Sequence, residues 1–563
     1  MDRRFIWAMV LMMVIIITPT FFMKPPAKRP AARPDTAQVE RGRPDSMAVT
    51  APGTLSATTE TTETPAAPAE TVTVASPLYE YGISTRGGAL VSAVMREYKA
   101  LDPAHRGEPA QLLQPGKPVH QLAFEVGRDT IDLSTWDFVV NGGTAPRTLP
   151  EGGTETVTLT GTRNGVTVDL AYTFRARDYQ MDIAGTVRGI GEVGGHLLVN
   201  VGSGFRQTEA DSAGNFYEFG VVTKTDESKQ LKFSALDPGE RRTLSGPFEW
   251  AAVKSKYFVV ALLALDSTRP QISGVVVHDD SLHAKGAHRA ETRVALPVPA
   301  DGRFDYSLYL GAMEYPRLKV VGHDFYDINP YGWPGFRTLI RPIAVGARWL
   351  LVHMHQQFNL AYGLVLVLFG VMIRVVLWPL NQKGMRASLK MQALQPEMQR
   401  LQDKYKDDPQ TMQREVMMLY KRENVNPFSG CWPVLLPWPI LLALFFVFQN
   451  TIELRGQAFL WLPDLSLKDP LYIIPVLMGL SMFGLNKVGM SGMPPTPQTK
   501  MMLYFLPVMM TVLFVNFASG LNLYYFVQNL VSIPQQFMLA KERKAAQAAR
   551  ESGVTVNTKK KAT

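Results

Sequence analysis

Between Phe358 and Leu539 the chain returns five times to a long apolar run: about Phe358 to Leu380, Cys431 to Ile452, Leu471 to Asn486, Met501 to Phe517 and Leu521 to Leu539. Nothing else in the sequence constrains the fold as tightly. A hydrocarbon interior offers no partner to a backbone N–H or C=O, so only a helix or a closed barrel satisfies those groups, and runs of roughly 17 or more apolar residues predict spanning helices. A sixth run, Phe5 to Met23, follows Arg3 and Arg4. It has neither the short apolar core nor the small-residue exit of a cleavable signal peptide, and it reads as an uncleaved anchor over 1–23. Prolines fall inside several of these runs, among them Pro439, Pro475, Pro507 and Pro534; a bundle tolerates them where neighbouring helices satisfy the freed backbone groups.

Charge placement orients the spans. The formal net charge is +9, and the basic residues are concentrated. The connection from Lys383 to Gly430 carries Lys383, Arg386, Lys390, Arg400, Lys421 and Arg422 among others, and the tail over 541–563 is also basic, whereas Glu453 to Asp469 has only Arg455 and Lys468. By the positive-inside rule the first two regions and Arg3–Arg4 belong to the cytoplasmic side, so both termini are expected there. Basic residues beside spans point to anionic lipid before nucleic acid. The single cysteine, Cys431, excludes an intramolecular disulfide, and no His or acid lies near it in sequence to activate it.

Residues 24–76, rich in Pro, Ala and Thr, read as a disordered linker. From 77 to 325 the pattern alternates at period two. Thr156–Thr160 and Val166–Leu170 flank Asn164–Gly165, a pair suited to the positive φ angles of a tight hairpin. Further strands are predicted at Gln121 to Val126, Tyr257 to Leu265 and Gln271 to His278, giving an all-β sandwich. Over 333–356, Phe336, Ile340, Ile343, Leu350 and Met354 share one helical face and Arg337, Arg341 and Arg348 another. This predicts an interfacial amphipathic helix with its arginines at lipid phosphates, the alternative being a helix packed beneath the β domain. The expected fold is a multi-domain membrane protein: an α-helical transmembrane bundle over 358–540, with a cytoplasmic helical hairpin at 383–424, plus the β sandwich.

Arg374 lies inside the first run of the bundle, about six residues or roughly 9 Å from its cytoplasmic end. A guanidinium there cannot shed its charge, so it needs an acid, water or a polar cavity. The last run carries Tyr525, Gln528, Asn529, Ser532 and Gln536 at three- and four-residue steps, a polar stripe that hydrocarbon would not tolerate. The stripe either packs on other helices through hydrogen bonds or lines a hydrated groove, and the competing place for Arg374 is at inner-leaflet phosphates; with no full set of acids in the spans, a hydrated groove containing Arg374 and this stripe is the expected site. In the hairpin, Met391, Leu394, Met398, Leu401 and Tyr405 form an apolar seam, and Asp407–Asp408–Pro409 breaks the helix before Met412, Val416 and Leu419 continue it. Flexible methionine suits contact with varied apolar segments as well as internal packing. No phosphate loop, nucleophile elbow or zinc-helix motif is found, so no cofactor and no enzyme activity is expected. His278, Asp279, Asp280, His283 and His288 cluster at irregular spacing and read as a turn, not a metal site.

Several motifs together resemble the YidC/Oxa/Albino insertase family, in its form from double-membrane bacteria. They are Arg374 in a span ending Trp378–Pro379–Leu380, Leu394–Gln395–Pro396 in the hairpin, Asn426 to Pro433, and Ser519–Gly520–Leu521–Asn522–Leu523–Tyr524–Tyr525. The resemblance implies a five-helix core around a hydrophilic groove, with Arg374 in the groove-arginine position and Tyr525 touching substrate. Substrate helices would slide into lipid along the spans beginning at Cys431 and Leu471, where Trp432, Phe446 and Met478 lie. It also implies a bacterial inner-membrane location with the β domain in the periplasm, nascent membrane proteins as substrates and the Sec translocon as partner, while the basic tail and hairpin are expected to help recruit ribosomes or anionic lipid. The chain departs from the family pattern at Pro437–Trp438–Pro439 and at Gly370, where polar residues are usual. The competing reading is a multi-span transporter with a sugar-binding-like periplasmic domain; a transporter would be expected to carry two matching halves, and no internal repeat is found.

Overall fold

The computed structural model describes residues 69–551 apart from 128, 191–194, 266–270, 280–288, 330, 333–335, 407, 424–437 and 492–496. The expected anchor over 1–23, most of the linker, Trp432, Cys431, Asp280, His283, His288 and the tail beyond 551 lie outside the described residues. From Ala69 onward the chain forms one compact unit.

The first strand, Thr71–Ala75, begins inside the segment read as linker. Alternation then determines the β domain. In Val166–Arg175 the side chains of Val168, Leu170, Tyr172 and Phe174 are buried while their neighbours are not, as a pleated strand with one covered face requires. The strand pairs with Thr154–Arg163 in the register Leu170↔Leu159, and the turn places Asn164 and Gly165 at φ 51° and 77°, the hairpin expected from the sequence. The strands foreseen at Gln121–Val126, Phe258–Leu263 and Ile272–His278 are present.

These strands assemble into three sheets. The nine-stranded sheet runs in the order Ser228–Lys232, Gly220–Lys224, Trp250–Lys254, Phe258–Leu263, Arg303–Ala312, Gln180–Arg188, Val166–Arg175, Thr154–Arg163 and Phe138–Val140. A six-stranded sheet, which includes Ile272–His278, Glu291–Val298, Gly195–Asn200 and Gln121–Val126, and a five-stranded sheet that starts from Pro109–Gln111 share one hydrophobic core with it.

A buried imidazole lies within that core. His120 is fully buried, with Nδ1 2.7 Å from the Tyr172 hydroxyl and Nε2 2.5 Å from the Tyr306 hydroxyl. Tyr172 donates to Gly88 O at 2.6 Å, so it accepts from Nδ1–H and leaves Nε2 to accept from Tyr306. Burial pushes the His120 pKa down to about 3, against about 6.5 in an unfolded chain. Between those values the unfolded state holds the extra proton. The contribution of His120 is therefore complete above about pH 6.5 and is lost toward pH 3, by roughly 1.4 kcal/mol per pH unit. Denaturant titrations at pH 7 and pH 5 are expected to differ by about 2 kcal/mol less in His120→Gln than in the parent chain; an unchanged difference would remove His120 from the acid response.

Helices follow the sheets. The short helices α1 (Ser212–Tyr217) and α2 (Tyr315–Val321) belong to the β domain. After them come α3 (Arg337–Phe358), α4 (Tyr362–Ala393), α5 (Gln395–Lys404), α6 (Pro409–Arg422), α7 (Trp438–Asn450) and α8 (Ile473–Gly489). A turn at Pro497–Lys500 and a π-helix at Met501–Phe505 lead into α9 (Leu506–Phe514), and α10 (Ser519–Glu551) is last. Among the described residues one helix, with the window Tyr362–Pro379, is long and apolar enough to cross a membrane; Pro439–Asn450, Ile473–Gly489 and Met501–Phe514 are apolar but shorter.

Of the two placements the sequence allows for α3, its arginines follow the one packed against the β domain. Arg337 donates to Ser228 O and to Asp327, both at 2.6 Å, and Arg341 lies 3.2 Å from Asp327. Arg348 is fully buried and donates to Met313 O at 2.8 Å and to the Tyr331 hydroxyl at 3.2 Å, with Glu453 at 3.4 Å. Burial alone would pull the Arg348 guanidinium down, but the Glu453 carboxylate and Tyr331 hold it above its ordinary value. The arginine face is thus bound to protein acceptors instead of lipid phosphates. Ile340, Ala344 and Leu351 are buried with the other helices, while Phe336, Leu339, Trp349 and Phe358 are exposed.

Candidate functional site

The segment after α7 joins the helices to the β domain. Arg455 places Nε 3.0 and 2.9 Å from the two Glu209 carboxylate oxygens and donates through Nη1 to Lys99 O at 2.8 Å. Glu453, the partner of Arg348, also accepts from Tyr315 N at 3.0 Å. The same segment caps α10: Ser519 N donates to Leu467 O and Gly520 N to Leu465 O, which satisfies amides that a helix start leaves unpaired. Phe459 lies on Gly363, where a Cβ would come within 2.0 Å of the ring. At this end the helices are closed by packed chain.

Farther along, Gly370, Arg374 and Trp378 recur every four residues on the α4 face that meets α10. Gln528 Nε2 donates to Gly370 O at 2.7 Å. Gln535 Nε2 donates to Trp378 O at 3.2 Å, and its Oε1 accepts from Arg374 Nη2 at 2.6 Å. A Cβ on residue 370 would lie 3.1 Å from Val527, so glycine here permits a close approach of the two helices. Arg374 has no acidic partner among the described residues, and its Nε is buried with no hydrogen-bond partner. A guanidinium held by one neutral acceptor, with a donor left over, retains its charge and its capacity to bind.

The polar stripe of α10 divides. Gln528 turns to α4, whereas Asn529 turns to α8 and donates to Ser481 Oγ at 3.1 Å and Met478 O at 3.3 Å. Ser532 donates to Gln528 O in its own helix at 2.5 Å. The Tyr525 ring packs edge-on to Phe514 and Tyr524, and its hydroxyl is buried without a partner. The residue that reaches Arg374 is Gln535, which the sequence reading passed over in favour of Gln536. Its signal was the seven-residue step from Gln528, two turns along the same face.

Elsewhere the expected residues are dispersed. Leu394 and Leu419 are buried between α5 and α6, and the Tyr420 hydroxyl donates to Met398 Sδ at 3.1 Å, so this part of the seam holds the hairpin together. Asp408 caps α6 by accepting from Thr411 N at 3.1 Å. Among the described side chains of the hairpin, Met417 and Met418 are the exposed methionines. The side chain of Met391 lies outside the described residues. Phe446 is half-buried on α7 against Phe445. Met478, expected on the sliding surface, is 3% exposed, because Asn529 of α10 binds Met478 O and Ser481 Oγ and draws that face of α8 inward; Val476 and Leu480 are the exposed residues there.

These features define a helical bundle, with one described helix long and apolar enough to cross a membrane, an arginine pinned between two of its helices and a large β domain clamped to one end. Residues 353–547 match the profile of the 60Kd inner membrane protein, and residues 71–345 match that of the YidC periplasmic domain. The membrane protein insertase YidC of Chlorobium luteolum is 31% identical over 504 residues, covering 83% of this chain and 82% of its own. That of Chlorobaculum tepidum is 29% identical over 609 residues, covering 99% and 98%. A crystal structure of an active YidC insertase is 17% identical, covers 84% of this chain and 93% of its own, and has a TM-score of 0.34. The chain belongs to the YidC family of membrane protein insertases, inner-membrane proteins with a β-rich periplasmic domain.

Proposed function

We propose that this chain moves apolar segments of newly made proteins from the cytoplasm into the inner membrane through a polar groove centred on Arg374. The observation that carries the reading is a guanidinium on an apolar helix with a neutral amide as its hydrogen-bond partner and an unmatched Nε–H. Such a group offers temporary bonds to a polar tail and shortens the apolar barrier that the tail must cross, without nucleotide hydrolysis. Gln528 and Gln535 flank Arg374 on α10 as the further polar groups of this groove, and Tyr525, Asn529 and Ser532 would join them only if α10 moves relative to α8. The emerging helix would leave along the exposed side chains of α8 and α9, including Val476, Leu480, Val508 and Val512.

The proposed topology has six spans and both termini in the cytoplasm, with the bundle as a five-helix core. Exposed Leu339, Trp349 and Phe358 on α3 would lie at the acyl boundary. The hairpin and basic tail would meet ribosomes and anionic lipid, and larger substrates would be shared with the Sec translocon. Purified chain in lipid vesicles is expected to raise insertion of a small one- or two-span substrate roughly tenfold over empty vesicles, by protease protection, with no added nucleotide; equal protection in empty vesicles would sink the reading.

A further inference from the structure

We propose that the segment closing the bundle carries a lipid-binding ridge: the Leu460–Trp461 turn and the Leu471–Ile473 start of α8 sit among the acyl chains of the outer leaflet. The choice of leaflet rests on the topology proposed above; the ridge itself rests on an inverted polarity. A lone exposed leucine says little, because folded proteins expose much apolar surface. Here the charges are turned inward as well. Glu453 is held by Arg348 and Arg455 by Glu209, Asp464 Oδ1 accepts from Ser466 N at 2.8 Å, and Asp469 is 0% exposed. Among the described residues from Glu453 to Asp469, Lys468 is the exposed charge. What faces outward is Leu460 at 76% exposed, Leu471 at 61% and Tyr472 at 44%. A water-facing loop would show the opposite arrangement.

A buried carboxylate holds the ridge together. Phe459 and Leu462 exchange backbone bonds of 2.8 and 2.9 Å, which makes Leu460 and Trp461 the two residues of a tight turn. Asp469 Oδ2 accepts from Trp461 Nε1 at 3.3 Å and from Ile474 N at 2.7 Å, and Oδ1 accepts from Leu471 N at 3.0 Å. One side chain thus ties the turn to the start of α8. Leu460 and Tyr472 have φ of 55° and 56°, a left-handed backbone that disfavours bulky side chains and usually goes to glycine or asparagine. Large apolar groups kept exposed at such positions point to a use for the side chain. Depth identifies the occupant. Phe459 packs on Gly363, at the beginning of the apolar window Tyr362–Pro379. Exposed Val476 and Leu480 follow Tyr472 at four-residue steps along α8, so they continue one face. A surface continuous with the apolar helices of an inner-membrane protein meets lipid, with Lys468 reaching phosphates and Trp461 and Tyr472 at the headgroup boundary.

The test places nitroxide spin labels on the full chain in lipid vesicles through Leu460→Cys, Leu471→Cys and, as a reference on the exposed face of the β domain, Thr162→Cys, each in a Cys431→Ser background. Both ridge positions are exposed, so the label displaces no packed side chain. Collision with oxygen, which concentrates in acyl chains, is compared with collision with a water-soluble nickel chelate. The oxygen-to-nickel ratio is expected to be several-fold higher at 460 and 471 than at 162. Ratios equal to the reference would put the ridge in water and overturn the proposal. Shielding from both reagents would mean that protein covers the ridge, which also overturns it. Lys468→Cys reads the leaflet separately: in spheroplasts a membrane-impermeant maleimide is expected to modify it from outside. Modification only from the cytoplasmic face would overturn the six-span topology and the leaflet with it, whereas modification from outside beside water-like ratios at 460 and 471 removes the ridge and leaves the topology standing.

Discussion

Arg374→Ala is expected to lower the rate of insertion of a one- or two-span substrate by tenfold or more at matched protein levels, with Arg374→Lys keeping most of it. A tenfold loss corresponds to about 1.4 kcal/mol, a modest value for removing a charged group from a polar site between apolar helices. Lysine keeps a charge and a donor of similar reach but loses the planar fork that meets Gln535. Retention in Lys with loss in Ala would place the effect in the charge. Parent rates in both variants would make Arg374 an anchor that reaches toward lipid headgroups, and would move attention to Asn529 and Tyr525. Removal of Arg374 relieves the cost of burying its charge but leaves Gln535 Oε1 without its donor, so a net change in stability within about 1–2 kcal/mol is expected.

The second large effect is at the other end of the helices. Arg455→Ala is expected to cost roughly 3–5 kcal/mol of stability, since it leaves Glu209 as an uncompensated buried carboxylate. The two side chains are 3% and 6% exposed, and Arg455 also holds Lys99 O and Thr208 O. The double variant Arg455→Met, Glu209→Leu is expected to recover most of the loss, because replacing both members of a buried pair by apolar groups of similar size is often close to neutral. Thermal unfolding in detergent measures both. A single variant within 1 kcal/mol of the parent would reduce the clamp to a surface contact, and a double variant no better than the single would mean that the backbone contacts carry it.

The comparison of α3 with the hairpin strands explains which expectations were legible. In Val166–Arg175 the period-two alternation specified both the element and its covered face, because a strand has two faces and one of them must meet the core. In α3 the periodicity correctly grouped Arg337, Arg341 and Arg348, but it carried no information on what the group meets. Ser228 and Glu453 are distant in sequence and Asp327 lies ahead of the helix itself, and only the folded chain brings them to the arginines. Met478 shows the same limit: its apolar character placed it on a helix, and contact with Asn529 determined which way it faced.

By itself, then, the sequence determined the apolar helical segments, the β domain with its hairpin, the break at Asp408–Pro409 and the charge at Arg374. Each follows from local chemistry: backbone groups that need partners in hydrocarbon, a two-residue period, a capping side chain and a group that cannot lose its proton. Tertiary structure decided that Gln535, not Gln536, holds Arg374, and that Arg455 closes on Glu209 across 246 residues of sequence. A helix offers several faces to its neighbours, and a rotation of one residue, about 100°, changes the partner. Long-range pairing depends on where whole elements pack, which no local pattern encodes.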